Sequence, residues 1–129
     1  MKQAAIAVVR RADSFLGIKR SQTVRAPGKI CFPGGQVENG ESIEQAVVRE
    51  MQEELGVTVK PIRKLWTSVT SWQVEVHWFL AEIIDGEICC NKEEVEWYRW
   101  MGIEELRQSD LLPSNADFLD AISDGTVTF

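Results

Sequence analysis

Residues 4–9 form a short, nearly continuous apolar run, which reads as a buried strand. Residues 10–14 are polar and turn the chain, and residues 15–19 return as a second strand, so a hairpin is predicted. Residues 21–28 are a polar connector. Residues 29–32 make a further short strand that Pro33 ends, because its ring fixes φ and removes a backbone donor. The period then changes: Ile43, Val47, Met51 and Leu55 recur every fourth residue, the stripe of a helix with one face in a core. Ser42 is a fitting N-cap, with Glu41 and Asn39 as competitors, and Gly56 closes the helix.

Beyond the helix, residues 57–66 lean toward β structure but are interrupted by Pro61. Residues 73–84 alternate and then fill with Trp78, Phe79, Leu80, Ile83 and Ile84, which makes them the clearest long strand. Asp85-Gly86 is a turn signal, and residues 96–101 form another aromatic strand. Residues 103–106 and 115–122 read as helices, with Pro113 and Ser114 as the start signal of the second. No repeat, low-complexity segment or linker appears. The pattern predicts one domain spanning residues 1–129, with a mixed sheet and two main helices.

Composition adds limits. Hydrophobic residues at 44% and charged residues at 26% are ordinary for a folded globule. A net charge of −6 argues against a general binder of nucleic-acid polymers or membrane surfaces, since either would want a basic face. A phosphate-bearing ligand would therefore need a mediating cation. Cys31, Cys89 and Cys90 are odd in number and two are adjacent, which does not suit a disulfide framework. With His77 the only histidine and no CxxC spacing, a zinc site lacks its ligands. No apolar run reaches membrane-spanning length, and the N-terminal one is broken at Arg10-Arg11, so a cytoplasmic protein with free thiols is expected.

The chemistry concentrates in residues 31–57. Each helical residue turns by roughly 100°, so relative to Glu50, Glu54 lies about 40° to one side and Glu53 about 60° to the other. The three carboxylates share one edge of the helix beside the apolar stripe. Like charges gathered this way are destabilising unless a cation compensates. Oxygen ligands without Cys or His select Mg²⁺ or Mn²⁺ over zinc. A bare acidic helix patch is more often a solvated face than a metal site. Here, however, Pro33-Gly34-Gly35 places bare backbone beside the helix, Glu41 sits where the loop folds back, and Arg49 can hold a loop carboxylate by a charge-assisted pair.

These residues match the Nudix hydrolase signature at every defined position. Gly35, Glu41, Arg49, Glu50, Met51, Glu53, Glu54, Gly56 and Val57 fall at the required spacings, a far more specific signal than a lone glycine motif. The resemblance implies an α/β/α sandwich with a mixed β-sheet, and hydrolysis of a nucleoside diphosphate linked to another moiety. It also implies divalent metal held by Glu50, Glu53 and Glu54 with the Gly35 carbonyl, and structural roles for Glu41 and Arg49 in the loop. Glu50 is a candidate ligand or general base. Glu94, with Glu93 beside it, is the candidate acid from outside the signature.

Beyond the signature the chain resembles the MutT-type branch, the 8-oxo-dGTP diphosphatases. The carriers are the strand–hairpin ending in Ile18-Lys19-Arg20, the run Phe32-Pro33-Gly34-Gly35, Glu94 followed by Trp100, and Leu112-Pro113-Ser114-Asn115. The Asn115 carboxamide offers both donor and acceptor and could read a base edge carrying a protonated N7 beside O6. It could equally cap the last helix, as could Ser114. Arg20 is a candidate phosphate contact, Phe32 a candidate pocket wall or core residue, and Trp72 a candidate stacking partner. Gln36 stands where the branch commonly has Lys, and residues 68–73 lack the charged residue that can close over the base.

The expected reaction is cleavage of a nucleoside triphosphate to monophosphate and pyrophosphate, with a small-molecule nucleotide as partner. The alternatives are ADP-ribose, dihydroneopterin triphosphate or a cytidine nucleotide as substrate, or a binding module without catalysis. The intact set of acids disfavours the last. His77 reads as a satisfied sheet histidine, Arg10-Arg11 as a solvated turn, and Trp66, Trp78, Trp97 and Trp100 as core. No pattern in the chain specifies an oligomeric state.

Overall fold

In the computed structural model, which describes residues 1–129, the first apolar run becomes strand β1 (Lys2–Val8) inside a mixed four-stranded sheet. Its neighbours are β5 (Gly34–Gln36), antiparallel, and β7 (Val74–Asp85), parallel, and β6 (Thr58–Val69) pairs antiparallel with the far side of β7. A second, antiparallel sheet is centred on β3 (Ser14–Arg20). β2 (Arg10–Arg11) and β4 (Ile30–Cys31) lie along one side of it and β8 (Val95–Met101) along the other.

Helix α1 (Ile43–Leu55) covers one face of the mixed sheet, and α2 (Ile103–Gln108) and α3 (Pro113–Ser123) pack on the other. Alternation along the strands divides the core accordingly. Ala5, Ala7, Phe79 and Ala81 meet Val47, Met51 and Leu55, while Val8, Val76 and Trp78 meet Leu106, Phe118 and Leu119. Trp78 and Phe118 stack at 4.3 Å, and the Trp78 indole N–H donates to Ser68 Oγ at 3.1 Å. The α/β/α arrangement expected from the sequence is the one observed.

Several expectations are corrected. Residues 34–36 are a strand rather than a bare turn, because Gly34 and Gly35 pair with Ile6 and Ala5 of β1. Residues 58–69 run as one strand through Pro61, since a register shift between Pro61 and Arg63 absorbs the missing donor. Arg10 and Arg11 form a short strand rather than only a turn, and their guanidinium groups lie over Phe129 at 4.2 Å and Trp100 at 4.3 Å. His77 is not fully satisfied: Nε2 meets Glu75 Oε1 at 2.8 Å, but Nδ1 is buried without a partner. Helix α3 begins at Pro113, a residue pre-set for the first helical turn, and neither Ser114 nor Asn115 caps it.

Candidate active site

Helix α1 starts with a full capping box: Ser42 Oγ accepts from the Gln45 N–H at 3.1 Å, and Gln45 Oε1 accepts from the Ser42 N–H at 2.9 Å. Gly56 ends it in the left-handed conformation, φ 67°. Between these caps the apolar stripe fixes the helix rotation, and with it the carboxylates. Glu50 and Glu54 are carried inside, 8% and 6% exposed, whereas Glu53 lies on the outer flank.

The glycines let β5 press against this edge of the helix. A Cβ on Gly35 would stand 2.6 Å from Glu50 Oε1, and one on Gly34 would run into the Ala5 carbonyl. The Gly34 N–H donates to Glu54 Oε1 at 3.0 Å, a contact the sequence did not point to beyond the presence of two adjacent glycines.

Arg49 joins loop and helix. Its Nε and Nη2 grip both oxygens of Glu41 at 2.7 and 3.0 Å, Nη2 also donates to the Gln36 carbonyl at 2.9 Å, and Nη1 donates to Glu50 Oε1 at 2.8 Å and Glu53 Oε2 at 3.2 Å. This bidentate fork, with the Glu38 N–H added, holds the Glu41 carboxyl below its ordinary value.

Glu94 arrives from the segment before β8. The Cys89 and Asn91 N–H groups donate to the last-turn carbonyls of Leu55 and Glu54, each at 2.9 Å, and the Ser21 N–H donates to the Glu94 carbonyl at 3.0 Å. Asn91 is a positioning residue that sequence reasoning did not single out. Burial pushes the Glu54 carboxyl well above its ordinary value, and the neighbouring charges of Glu50 and Glu94 add to the rise. Burial raises Glu50 too, against the pull of Arg49, and the charges of Glu53 and Glu94 contribute. The Arg20 charge acts on both Glu54 and Cys31, and Arg20 Nε donates to the Arg25 carbonyl at 2.6 Å. Burial pushes the Cys31 thiol up to about 12, so it is not a nucleophile.

The donor chemistry suits a hard divalent cation: buried carboxylate oxygens, glycine backbone beside them and no sulfur or imidazole. The ligand set is not drawn together, however. No three His, Cys, Asp or Glu side chains lie close enough to hold a metal ion, and Glu53 is turned to Arg49 instead. Gathering the three helix carboxylates requires Glu53 to leave that pair.

Of the residues expected to face the nucleotide, Phe32 is 1% exposed and packs edge-on against Phe15, Trp78 and Phe118, which makes it core rather than an open pocket wall. Asn115 is buried, and its Oδ1 accepts from the Phe32 N–H at 2.8 Å, tying α3 to the chain entering the glycines. Its Nδ2 reaches Ser114 Oγ at 3.2 Å. Trp72 is 83% exposed at the tip of the β6–β7 hairpin. A cavity of about 810 Å³ lies elsewhere, between β7 and β8, with Ile62, Ile83, Tyr98 and Trp100 in its walls.

A model of the NUDIX domain matches residues 1–122. Among relatives, the 8-oxo-dGTP diphosphatase of Escherichia coli (strain K12) is 32% identical over 117 residues, covering 88% of this chain and 89% of that protein. The NAD-capped RNA hydrolase NudC of Stutzerimonas stutzeri (strain A1501) is 37% identical over 110 residues, 82% of this chain but only 38% of that protein's length. Among solved structures, a MutT NUDIX hydrolase from Burkholderia pseudomallei superposes with a TM-score of 0.75 at 25% identity, covering 92% of this chain and 95% of that one.

Proposed function

The chain belongs to the Nudix hydrolase family, whose members act on nucleoside-diphosphate-linked substrates, and from that premise we propose that it cleaves a nucleoside triphosphate to monophosphate and pyrophosphate. The observation that carries this reading is the burial of Glu50 and Glu54 against the bare backbone of Gly34 and Gly35, where the Gly34 N–H donates to Glu54 Oε1 at 3.0 Å. Glu50, Glu53 and Glu54, with the Gly35 carbonyl and Glu94, would hold Mg²⁺ or Mn²⁺. When bound, the metal supplies charge neutralisation at the phosphoryl oxygens and a more acidic water.

The remaining steps belong to the chain. Arg49 keeps Glu41 and the glycine loop in register with the helix. Glu94 takes the proton of the attacking water, because Glu50 Oε1 is already committed to Arg49. The water oxygen forms the new bond to phosphorus as the anhydride P–O bond breaks and pyrophosphate leaves. Arg20, beside the carboxylates, offers a cation to the phosphate chain. Asn115 keeps an Nδ2 donor for a base O6 while its oxygen serves Phe32. Trp72 offers a stacking face at the hairpin tip.

Likeness over 89% of the bacterial 8-oxo-dGTP diphosphatase supports an oxidised purine nucleotide as substrate. The likeness to NudC supports a second reading, a dinucleotide pyrophosphate, over the 38% of that protein that this chain spans. In the Mg²⁺ form, Glu53→Gln and Glu54→Gln are each expected to lower kcat by roughly two to three orders of magnitude with the circular-dichroism spectrum intact. Near-wild-type turnover in either variant would remove the metal assignment.

A further inference from the structure

Strand β8 has one edge paired with β3 and one edge with no strand beside it. Past Val95, whose N–H donates to the Asn91 carbonyl at 2.8 Å, none of its backbone groups bonds to another part of the main chain across that free edge. The one contact made by a side chain is from Lys92 Nζ to the Glu96 carbonyl, 2.6 Å. Free edges are usually blunted by proline, bulges or charge. The outer strand β6 follows that rule, with Pro61, Lys60, Arg63 and Lys64 and several register shifts. Strand β8 carries Trp97, Tyr98 and Trp100 and no proline; its charges are Glu96 and Arg99, and its one bulge falls at Glu96, so residues 97–101 pair with β3 in regular register. Tyr98 is 37% exposed and lines the 810 Å³ cleft, beside Trp100, Arg10 and Arg11.

We propose that this edge is an interface with a second copy of the chain, the two β8 strands pairing antiparallel about Tyr98. The sequence around Tyr98 is self-complementary in that register. Trp97 falls opposite the second copy's Arg99, repeating across the interface the guanidinium–indole contact that Arg99 and Trp97 make within the chain at 4.3 Å. Glu96, paired with Lys19 of its own chain at 3.0 Å, falls opposite Trp100, whose ring carries the Arg11 guanidinium at 4.3 Å, so its carboxylate would gain a second cation from the other copy. Such a two-fold contact closes on itself and stops at a dimer. A single strand pair sits at the small end of interface sizes, so association should depend on concentration.

Sedimentation across the micromolar-to-millimolar range should shift from the 14.6 kDa chain to twice that mass, and Tyr98→Lys, which sets two cations on the axis, should abolish the shift. Circular dichroism of Tyr98→Lys checks that the exposed substitution leaves the fold intact. In a Cys89→Ser/Cys90→Ser background, Tyr98→Cys should cross-link on oxidation, because paired Cα atoms about 4.5–5.5 Å apart suit a disulfide. Arg99→Cys, displaced from its own copy, should not. A monomer at every concentration overturns the proposal, as does equal cross-linking by both cysteines.

Discussion

Gly35 illustrates how a missing side chain shapes this site. Its place beside Glu50 leaves no room for a Cβ, so Gly35→Ala must push the Glu50 carboxylate aside. Because the atoms met are the far end of a flexible side chain, the fold should survive while the misplaced group costs about a hundredfold in kcat. Steady-state kinetics beside a thermal melt checks this; a large loss of melting temperature with normal kcat would contradict it. Glu50 and Glu54 make a second prediction. Both carboxyls are raised by burial in the metal-free chain, so between the ordinary value of 4.5 and their raised values the folded state binds more protons than the unfolded one. Their contribution therefore makes metal-free stability fall as pH rises through that window. Glu41, held low by Arg49, contributes in the opposite sense at more acidic pH. Melts of the metal-free protein should lose stability from mildly acidic toward neutral pH, and Mg²⁺ should flatten that slope. A slope unchanged by Mg²⁺ would count against binding at these carboxylates.

At the level of elements, Asn115 fastens α3 to the segment between β4 and β5. Asn115→Ala leaves the buried Phe32 N–H without an acceptor and should cost about 1–3 kcal/mol in urea unfolding, against a few tenths for Ser114→Ala. Equal costs would mean that the carboxamide bond carries no weight. Helix α1 was legible because its stripe, capping serine and terminal glycine are all local signals, and the signature spacing carries the carboxylates with it. Strand β5 was not legible. Its glycines have no side chains to alternate, and only pairing with β1 across a long loop makes them a strand. The fastening role of Asn115 was equally hidden, since its partner Phe32 is 83 positions away in the chain. Glu94 was placed by family likeness, whereas Asn91, which ties its segment to the end of α1, carries no sequence signal of its own.

For the molecule as a whole, the two-sheet scaffold separates tasks. The helix–glycine edge between β5 and α1 holds the buried carboxylates, the α3 face buries an aromatic core, and β8 leaves its outer edge unpaired on the second sheet. Net charge −6 makes the carboxylate edge hostile to a polyphosphate without a cation, so hydrolysis should require added divalent metal and vanish on chelation. The most direct measurement incubates the Mg²⁺-loaded protein with 8-oxo-dGTP, dGTP, ADP-ribose, NAD and a cytidine nucleotide, and resolves the products. The expected products from a triphosphate are nucleoside monophosphate and pyrophosphate in equal amounts, formed fastest from 8-oxo-dGTP. Release of orthophosphate with a diphosphate left behind, or no turnover of any triphosphate, would contradict this cleavage.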